Sequence, residues 1–174
     1  MIIDSVLRGY GDEAHIPSSP LSWAYPNDSS LFKFSYSPER SKSLIKEAGY
    51  EFNNETGFFE KDSIPLKFKI FVSQGSKQGE QIAQIVQQFL SNIGIKMEIQ
   101  ILEWSSLLKT IHSSESPKPF DAVMLGWGFD INDPDDSYTS WHSSQYPNGG
   151  NFNGFLNSRA DELLDKGRVT LEKS

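Results

Sequence analysis

The strongest constraint on this chain is the order of three hydrophobic periods between residues 65 and 101. In residues 65–72, Leu66, Phe68, Ile70 and Val72 fall on one face and Lys67 and Lys69 on the other, the two-residue period of a half-buried strand. In residues 78–93, Ile82, Ile85, Val86, Phe89, Leu90 and Ile93 recur at steps of three and four, which predicts an amphipathic helix, and Gly94 supplies its stop. Ile95, Met97, Ile99 and Ile101 then alternate with Lys96, Glu98 and Gln100, a second strand. Strand, helix and strand in so short a stretch form a βαβ unit, whose two strands must be parallel and joined by a right-handed crossover. Residues 120–128, FDAVMLGWG, are more continuously apolar, and predict a third strand in a central position. The fold class expected is α/β: a mixed sheet containing a βαβ unit, flanked by helices, in one domain over residues 1–174.

The remaining segments fit around that unit. Residues 1–9 read as the tail of a helix, with Ile2, Ile3, Val6 and Leu7 on one face and Gly9 at its end. Residues 10–30 hold three prolines among Ser, Asn and Asp and predict irregular chain, pinned by Trp23 and Tyr25. Ser37-Pro38-Glu39 is a helix start: a capping hydroxyl, a proline suited to the first turn and an acid at the positive end of the dipole. That helix places Leu44, Ile45 and Ala48 on one side and ends at Gly49. Residues 51–63, with Asn53-Asn54 and Gly57, predict a hairpin or loop; a short helix follows near Trp104 to Ile111, and another over 158–166, capped by Ser158 with Asp161 and Glu162 in its first turn.

Composition removes several functions. A formal charge of -7 without a basic run excludes nucleic acid as a partner, since phosphate binding needs clustered Lys and Arg. The absence of cysteine excludes thiol chemistry and cysteine zinc sites. An aromatic content of 13% is that of a folded chain rather than a disordered one. No stretch approaches the ~18 apolar residues of a membrane span. Residues 1–4, Met-Ile-Ile-Asp, do not open a signal peptide, which leaves either a cytosolic protein or an internal piece with an added Met.

The segment richest in chemistry is residues 126–136, GWGFDINDPDD. It follows a strand, and open α/β sheets bind ligands beyond the carboxyl ends of their strands. Gly126 and Gly128 let another backbone approach, Trp127 and Phe129 offer stiff contact surface, and Asp130 sets a carboxylate beside an apolar wall, suited to an ammonium ion. For Asp133, Asp135 and Asp136 the plainer reading is a turn and a capped helix, with Asp133 as the cap before Pro134. A calcium loop fails, because positions 134, 135 and 141 are Pro, Asp and Trp where the EF-hand needs Asp or Asn, Gly and Glu. No metal site and no cofactor are expected. His15, His112 and His142 are scattered, no phosphate loop occurs, the Gly-x-Gly at 126–128 lacks its third glycine, and no nucleophile elbow surrounds Ser76, so no catalytic constellation is present. Residues 149–155, GGNFNGF, read equally as a turn packed by Phe152 and Phe155 or as a pocket wall.

Taken in order, these motifs resemble the family 5 solute-binding proteins, the oligopeptide, dipeptide and nickel receptors of ABC importers. The resemblance rests on Ile16-Pro17-Ser18-Ser19-Pro20, on Tyr36-Ser37-Pro38-Glu39 through Ala48-Gly49-Tyr50, and on the helix ending from Gln87 to Ile95. It continues through Phe120 to Trp127, Asp-Pro-Asp at 133–135 and Gly149 to Asn157. Ser41 stands where the family usually has Ala, and Phe155 where it has Tyr. The resemblance implies a C-terminal lobe of a two-lobed receptor, lacking the signal sequence and the other lobe. It also implies an extracytoplasmic location, free or lipid-anchored, a permease partner in the membrane and no enzymatic activity. In peptide-binding relatives the Gly-Trp segment pairs with the peptide main chain and the following Asp holds its amino terminus. Those roles fall here on Gly126, Trp127 and Gly128, and on Asp130; residues 120–130 offer no Arg or Lys for the peptide carboxylate. A protein-docking module using the aromatic and acidic loop, and a carboxylate-dependent hydrolase, are the competing readings.

Overall fold

The three periods appear in a computed structural model of the protein as two parallel strands and the helix between them. The structure describes residues 2–26, 33–113, 117–128, 133 and 135–170. The elements in chain order are α1 (Ile2–Ser5), α2 (Pro38–Glu47), β1 (Glu51–Asn53), β2 (Phe58–Lys61), β3 (Ile64–Pro65), β4 (Lys67–Ser73) and α3 (Lys77–Asn92). There follow β5 (Lys96–Leu102), α4 (Trp104–Ile111), β6 (Ala122–Met124), α5 (Asp136–Trp141), a 3-10 turn (Ser143–Gln145) and α6 (Ser158–Val169). They group into two compact units, one of residues 1–12, 34–107 and 119–126, the other of residues 13–33, 108–118 and 127–174.

In the first unit β4 pairs in parallel with β5 on one side and β6 on the other, in the order β5-β4-β6. Ile70 lies opposite both Ile99 and Ala122, and Val72 opposite both Ile101 and Met124. The central strand is therefore β4, and residues 120–128, expected in the centre, contribute only the three-residue edge strand β6. The reason is visible in burial: Ile70, Phe71 and Val72 are buried consecutively, as a strand covered on both faces must be. The apolar character around β6 has other causes. The Phe120 ring meets that of Phe71 at 5.2 Å with a tilt of 46°, and residues 125–128 run on past the ladder.

The helix α3 covers one face of this sheet. Ile70, Val72, Ala83 and Met97 form the buried centre, ringed by Phe68, Val86, Leu90, Ile99, Ala122 and Met124. Ala83, fully buried, lets helix and sheet approach closely, and the Gln87 side-chain amide donates to the Met97 carbonyl at 2.8 Å. Ile101, expected on the covered face, is exposed, because it sits near the end of an edge strand. The hairpin expected over 51–63 forms as β1 and β2 in antiparallel register, with β3 added on the far side of β2. The antiparallel and parallel pairings thus lie in two separate three-stranded sheets.

Helix ends mostly follow their sequence signals. The Ser37 hydroxyl accepts from the Arg40 N–H at 3.3 Å with Pro38 in the first turn. The side of α2 carrying Leu44 and Ala48 is nevertheless exposed; its surface ion pairs, Arg40–Glu47 and Glu39–Lys42, and its caps hold it instead. At α6 the cap is Asn157 rather than Ser158: Asn157 has extended backbone, and its Oδ1 accepts from the N–H groups of Arg159 and Ala160, both at 3.0 Å. α1 covers only Ile2–Ser5, and the chain turns through Arg8 and Gly9 at positive φ. Among the described residues no helix is long and apolar enough to cross a membrane.

One glycine is required by packing as well as by conformation. Gly94, at φ +82, follows α3, and a Cβ there would lie 2.9 Å from the rings of both Phe52 and Phe59. Those rings meet edge to face at 5.3 Å, and the Phe59 N–H donates to the Gly94 carbonyl at 2.8 Å. Gly94→Ala is expected to lower the unfolding free energy by about 1–3 kcal/mol through strain and overpacking. Denaturant titration should show the midpoint fall at constant slope; an unmoved midpoint would mean the rings yield without cost.

Candidate functional site

In the first unit the segment leading to the candidate strip is fixed by backbone pairing. Asp121 closes the end of the β4–β6 ladder: its N–H donates to the Lys69 carbonyl at 3.0 Å and its carboxylate accepts from the Lys69 N–H at 2.8 Å. β6 then runs for three residues with β4 on one side and, among the described residues, no strand of its sheet on the other. Such an edge is a ready template for an added strand. Gly126 continues from it, exposed, with nothing within 4 Å of where a Cβ would stand.

Trp127, in the second unit, is 47% exposed. Its ring lies 6.1 Å from that of Phe152 at a tilt of 49°, and Phe152 in turn meets His112 edge to face at 6.2 Å. Gly128 is exposed, with open space on its Cβ side. Phe129 and Asp130 lie outside the described residues, so the structure brings together Trp127, Gly128 and Phe152 without bearing on the proposed amine anchor.

The loop carrying Phe152 is held unusually firmly. Asn151 is fully buried. Its side-chain amide donates to the carbonyls of His142 and Phe155, at 3.2 and 2.7 Å, and its Oδ1 accepts from the Phe155 N–H at 3.2 Å. Before it, Cβ atoms at Gly149 and Gly150 would come within 2.7 Å of the carbonyl oxygens of Gln145 and Thr139, so both positions need glycine for close approach. The packed-turn reading of residues 149–155 is met, and Phe152 stands beside Trp127.

The acidic residues that follow are structural. Asp133 does not cap α5; its carboxylate accepts from the Asp135 N–H at 3.0 Å, within the turn. Asp135 holds the N-cap position but makes no capping bond. Its carboxylate instead pairs with Arg168: Oδ2 accepts from a terminal nitrogen at 3.1 Å, and Nε lies 2.8 Å from Oδ1 as an ion pair without hydrogen-bond alignment. Arg168 also lies 4.1 Å above the Tyr138 ring, on which His142 stacks at 4.3 Å. The His142 Nδ1 accepts from the Ser144 N–H at 3.1 Å, leaving Nε2 turned to Asp165 at 3.6 Å and Asp161 at 4.0 Å. A cavity of about 570 Å³ borders Trp23, Asp135, Tyr138, Leu163 and Arg168; its cation is committed to Asp135. Among the described residues no group of three or more His, Cys, Asp or Glu is placed to hold a metal.

Sequence reasoning missed Asn151 and Arg168. Asn151 carries no type signal, because an asparagine in a glycine-rich stretch reads as a turn. Arg168 could have been found: Asp161, Asp165 and Arg168 recur at steps of four and three, one face of a helix, and that face meets Asp135, Tyr138 and His142.

The first unit thus presents the open edge of β6 and the second the Trp127–Phe152 pair, and the comparisons with known proteins give the family. The sequence profile of the bacterial extracellular solute-binding proteins, family 5 (middle region), matches residues 1–149, and the chain belongs to that family. It is 39% identical to the oligopeptide-binding protein AppA of Bacillus subtilis over 163 residues, 94% of this chain but 29% of that protein. The structure of that protein in complex with a nonapeptide superposes with a TM-score of 0.85 at 37% identity, over 98% of this chain and 33% of the other. The structure of NikZ from Campylobacter jejuni in complex with Ni(L-His) gives a TM-score of 0.80 at 27% identity, again over 98% of this chain and 33% of the other.

Acid should loosen the second unit at a defined point. The Ser143 N–H, donating at 2.8 Å, and then the Ser143 side chain and nearby His142 hold the Asp161 carboxyl below its ordinary range. A carboxyl depressed on folding adds stability above its unfolded pKa, and loses it as pH falls through the folded value. Asp161→Asn should therefore melt below the wild type at about pH 7, and the gap should close by about pH 2.5. A gap of equal size in acid would show that the charge contributes nothing.

Proposed function

We propose that this chain is a lobe of the substrate-binding component of an ABC importer, acting outside the cytoplasmic membrane and binding peptides by strand addition. The observation that carries the reading is the edge strand β6, which leads into the exposed strip Gly126–Gly128 with open space beside both glycines. Main-chain pairing accepts any peptide sequence, because every peptide offers the same backbone donors and acceptors. Trp127 supplies apolar contact at little entropic cost. Asp130 takes the peptide amino group in a charge-assisted bond that fixes register, and Phe129 lies between the two in sequence. The chain spans about a third or less of the relatives it matches. The peptide carboxylate and the opposite wall are therefore assigned to the other lobe, which closes on the ligand by hinge motion. Delivery to membrane permease subunits follows from the same role, and neither catalysis, a cofactor nor nucleic acid enters it.

Peptide is favoured over a nickel chelate as cargo by two observations. Identity to the oligopeptide-binding protein of Bacillus subtilis is 39%, against 27% to the protein that holds Ni(L-His). The described residues also bring together backbone and aromatic surface rather than imidazoles or carboxylates around a point. In the full-length protein, Asp130→Asn should weaken binding of a free-amine peptide by about 1.5–3 kcal/mol, roughly tenfold to 150-fold. An N-acetylated peptide should bind the variant and the wild type alike. Calorimetric titration decides it: equal affinity of variant and wild type for the free-amine peptide removes Asp130 from the site.

A further inference from the structure

We infer that Asn151 is a positioning residue for ligand binding, acting through Phe152 on Trp127; the inference rests on the proposed role of the Gly126–Gly128 strip. Every residue in the chain of contacts belongs to the second unit. Asn151 has three hydrogen bonds to backbone groups of two separate segments, the end of α5 at His142 and the approach to α6 at Phe155, and no solvent exposure. An amide is the side chain that can do this, since it donates twice and accepts once from one planar group. Aspartate cannot donate to the two carbonyls, and alanine removes all three bonds, two of them to Phe155. Gly149 and Gly150, seated against the Gln145 and Thr139 carbonyls, remove the remaining freedom of the loop on its other side.

The next residue is Phe152, and its backbone has no choice of place. Its ring lies 6.1 Å from Trp127, a separation within the range of favourable aromatic pairs. Trp127 follows an exposed glycine and precedes another, at nearly half exposure. Flanked by glycines, whose backbone is the most permissive of any residue, the indole needs an external buttress to hold one orientation. Phe152 is that buttress, and Asn151 fixes Phe152. A ligand meeting a pre-oriented indole avoids the entropy of ordering it on binding, so loss of the tether appears as loss of affinity.

The test uses the full-length protein labelled with 5-fluorotryptophan, with trialanine and a pool of synthetic nonapeptides as probes. Asn151→Ala and Phe152→Leu should each weaken probe binding about tenfold and move the Trp127 fluorine resonance, while those of Trp23 and Trp104 hold. Phe152→Tyr should restore both. If Asn151→Ala does not fold, Phe152→Leu alone decides. Affinity within about twofold of wild type, or lost affinity with an unmoved Trp127 resonance, overturns the inference. Trp127→Ala separates the two levels. If it leaves binding intact, the strip reading and this inference fall together. If it abolishes binding while Phe152→Leu does not weaken it, the inference falls and the strip reading stands.

Discussion

The first unit depends on β4 being paired in parallel on both sides. Two ladders satisfy its backbone, and two covered faces bury Ile70, Phe71 and Val72 in succession. Once β4 holds the centre, β6 has one edge left over, and the chain must leave the sheet beyond Met124. Asp121 sharpens the exit. By accepting from and donating to Lys69 at the start of β6, it fixes the register that puts Gly126 two residues past the last rung. Parallel strands present their carboxyl ends together, which is where open α/β sheets receive ligands. The open edge of β6 and the exit of the chain beyond Met124 are therefore consequences of core topology.

The second unit is organised by polar groups, and their magnitudes rank them. Exposed ion pairs such as Arg159–Glu162 and Lys166–Glu162 on α6 contribute about 0–1 kcal/mol each. The Asn151 side chain is fully buried, where a hydrogen bond adds about 0.5–1.5 kcal/mol and an unmet partner costs more, about 1–3 kcal/mol. The carboxylates are engaged locally: the Asp135 Oδ2 accepts from Arg168, and Asp161 accepts from the Ser143 N–H. This explains how Asp133 and Asp135 can look like part of a cation site in sequence and serve locally instead. Asp133, Asp135 and Asp161 are each used locally as acceptors, so their charge is committed before a ligand arrives.

The parts of the fold legible in sequence are those set by local periodicity. β4, α3 and β5 fall within one or two residues of their patterns, because each alternation or three-four step reports a face that must be covered. Ser37-Pro38 fixed the start of α2, since a cap acts over three residues. What could not be read is what depends on non-local partners. The central position of β4 over 120–128 follows from which strand gains two ladders, and apolar content alone does not say. The cap of α6 moved from Ser158 to Asn157 because both residue types cap well and backbone conformation chooses between them. At the site, the sequence singled out Trp127 and the glycines beside it. Their buttress came from Phe152, twenty-five residues further on, fixed by an asparagine whose partners lie at 142 and 155.

The similarity to the Ni(L-His)-holding protein, a TM-score of 0.80 at 27% identity, separates scaffold from selectivity. Two chains can share nearly all of this topology while most of their side chains differ, so the scaffold does not itself encode the cargo. What the topology supplies is an unpaired edge and a chain end aimed past it; what is presented there is left to a few positions. In this chain those positions hold small residues on either side of one broad aromatic. The peptide reading proposed above rests on that arrangement, because an edge offers its hydrogen bonds in a row. In that reading the indole contributes only if it is already oriented when the guest arrives. The buried asparagine and the two tightly seated glycines enter it through that orientation.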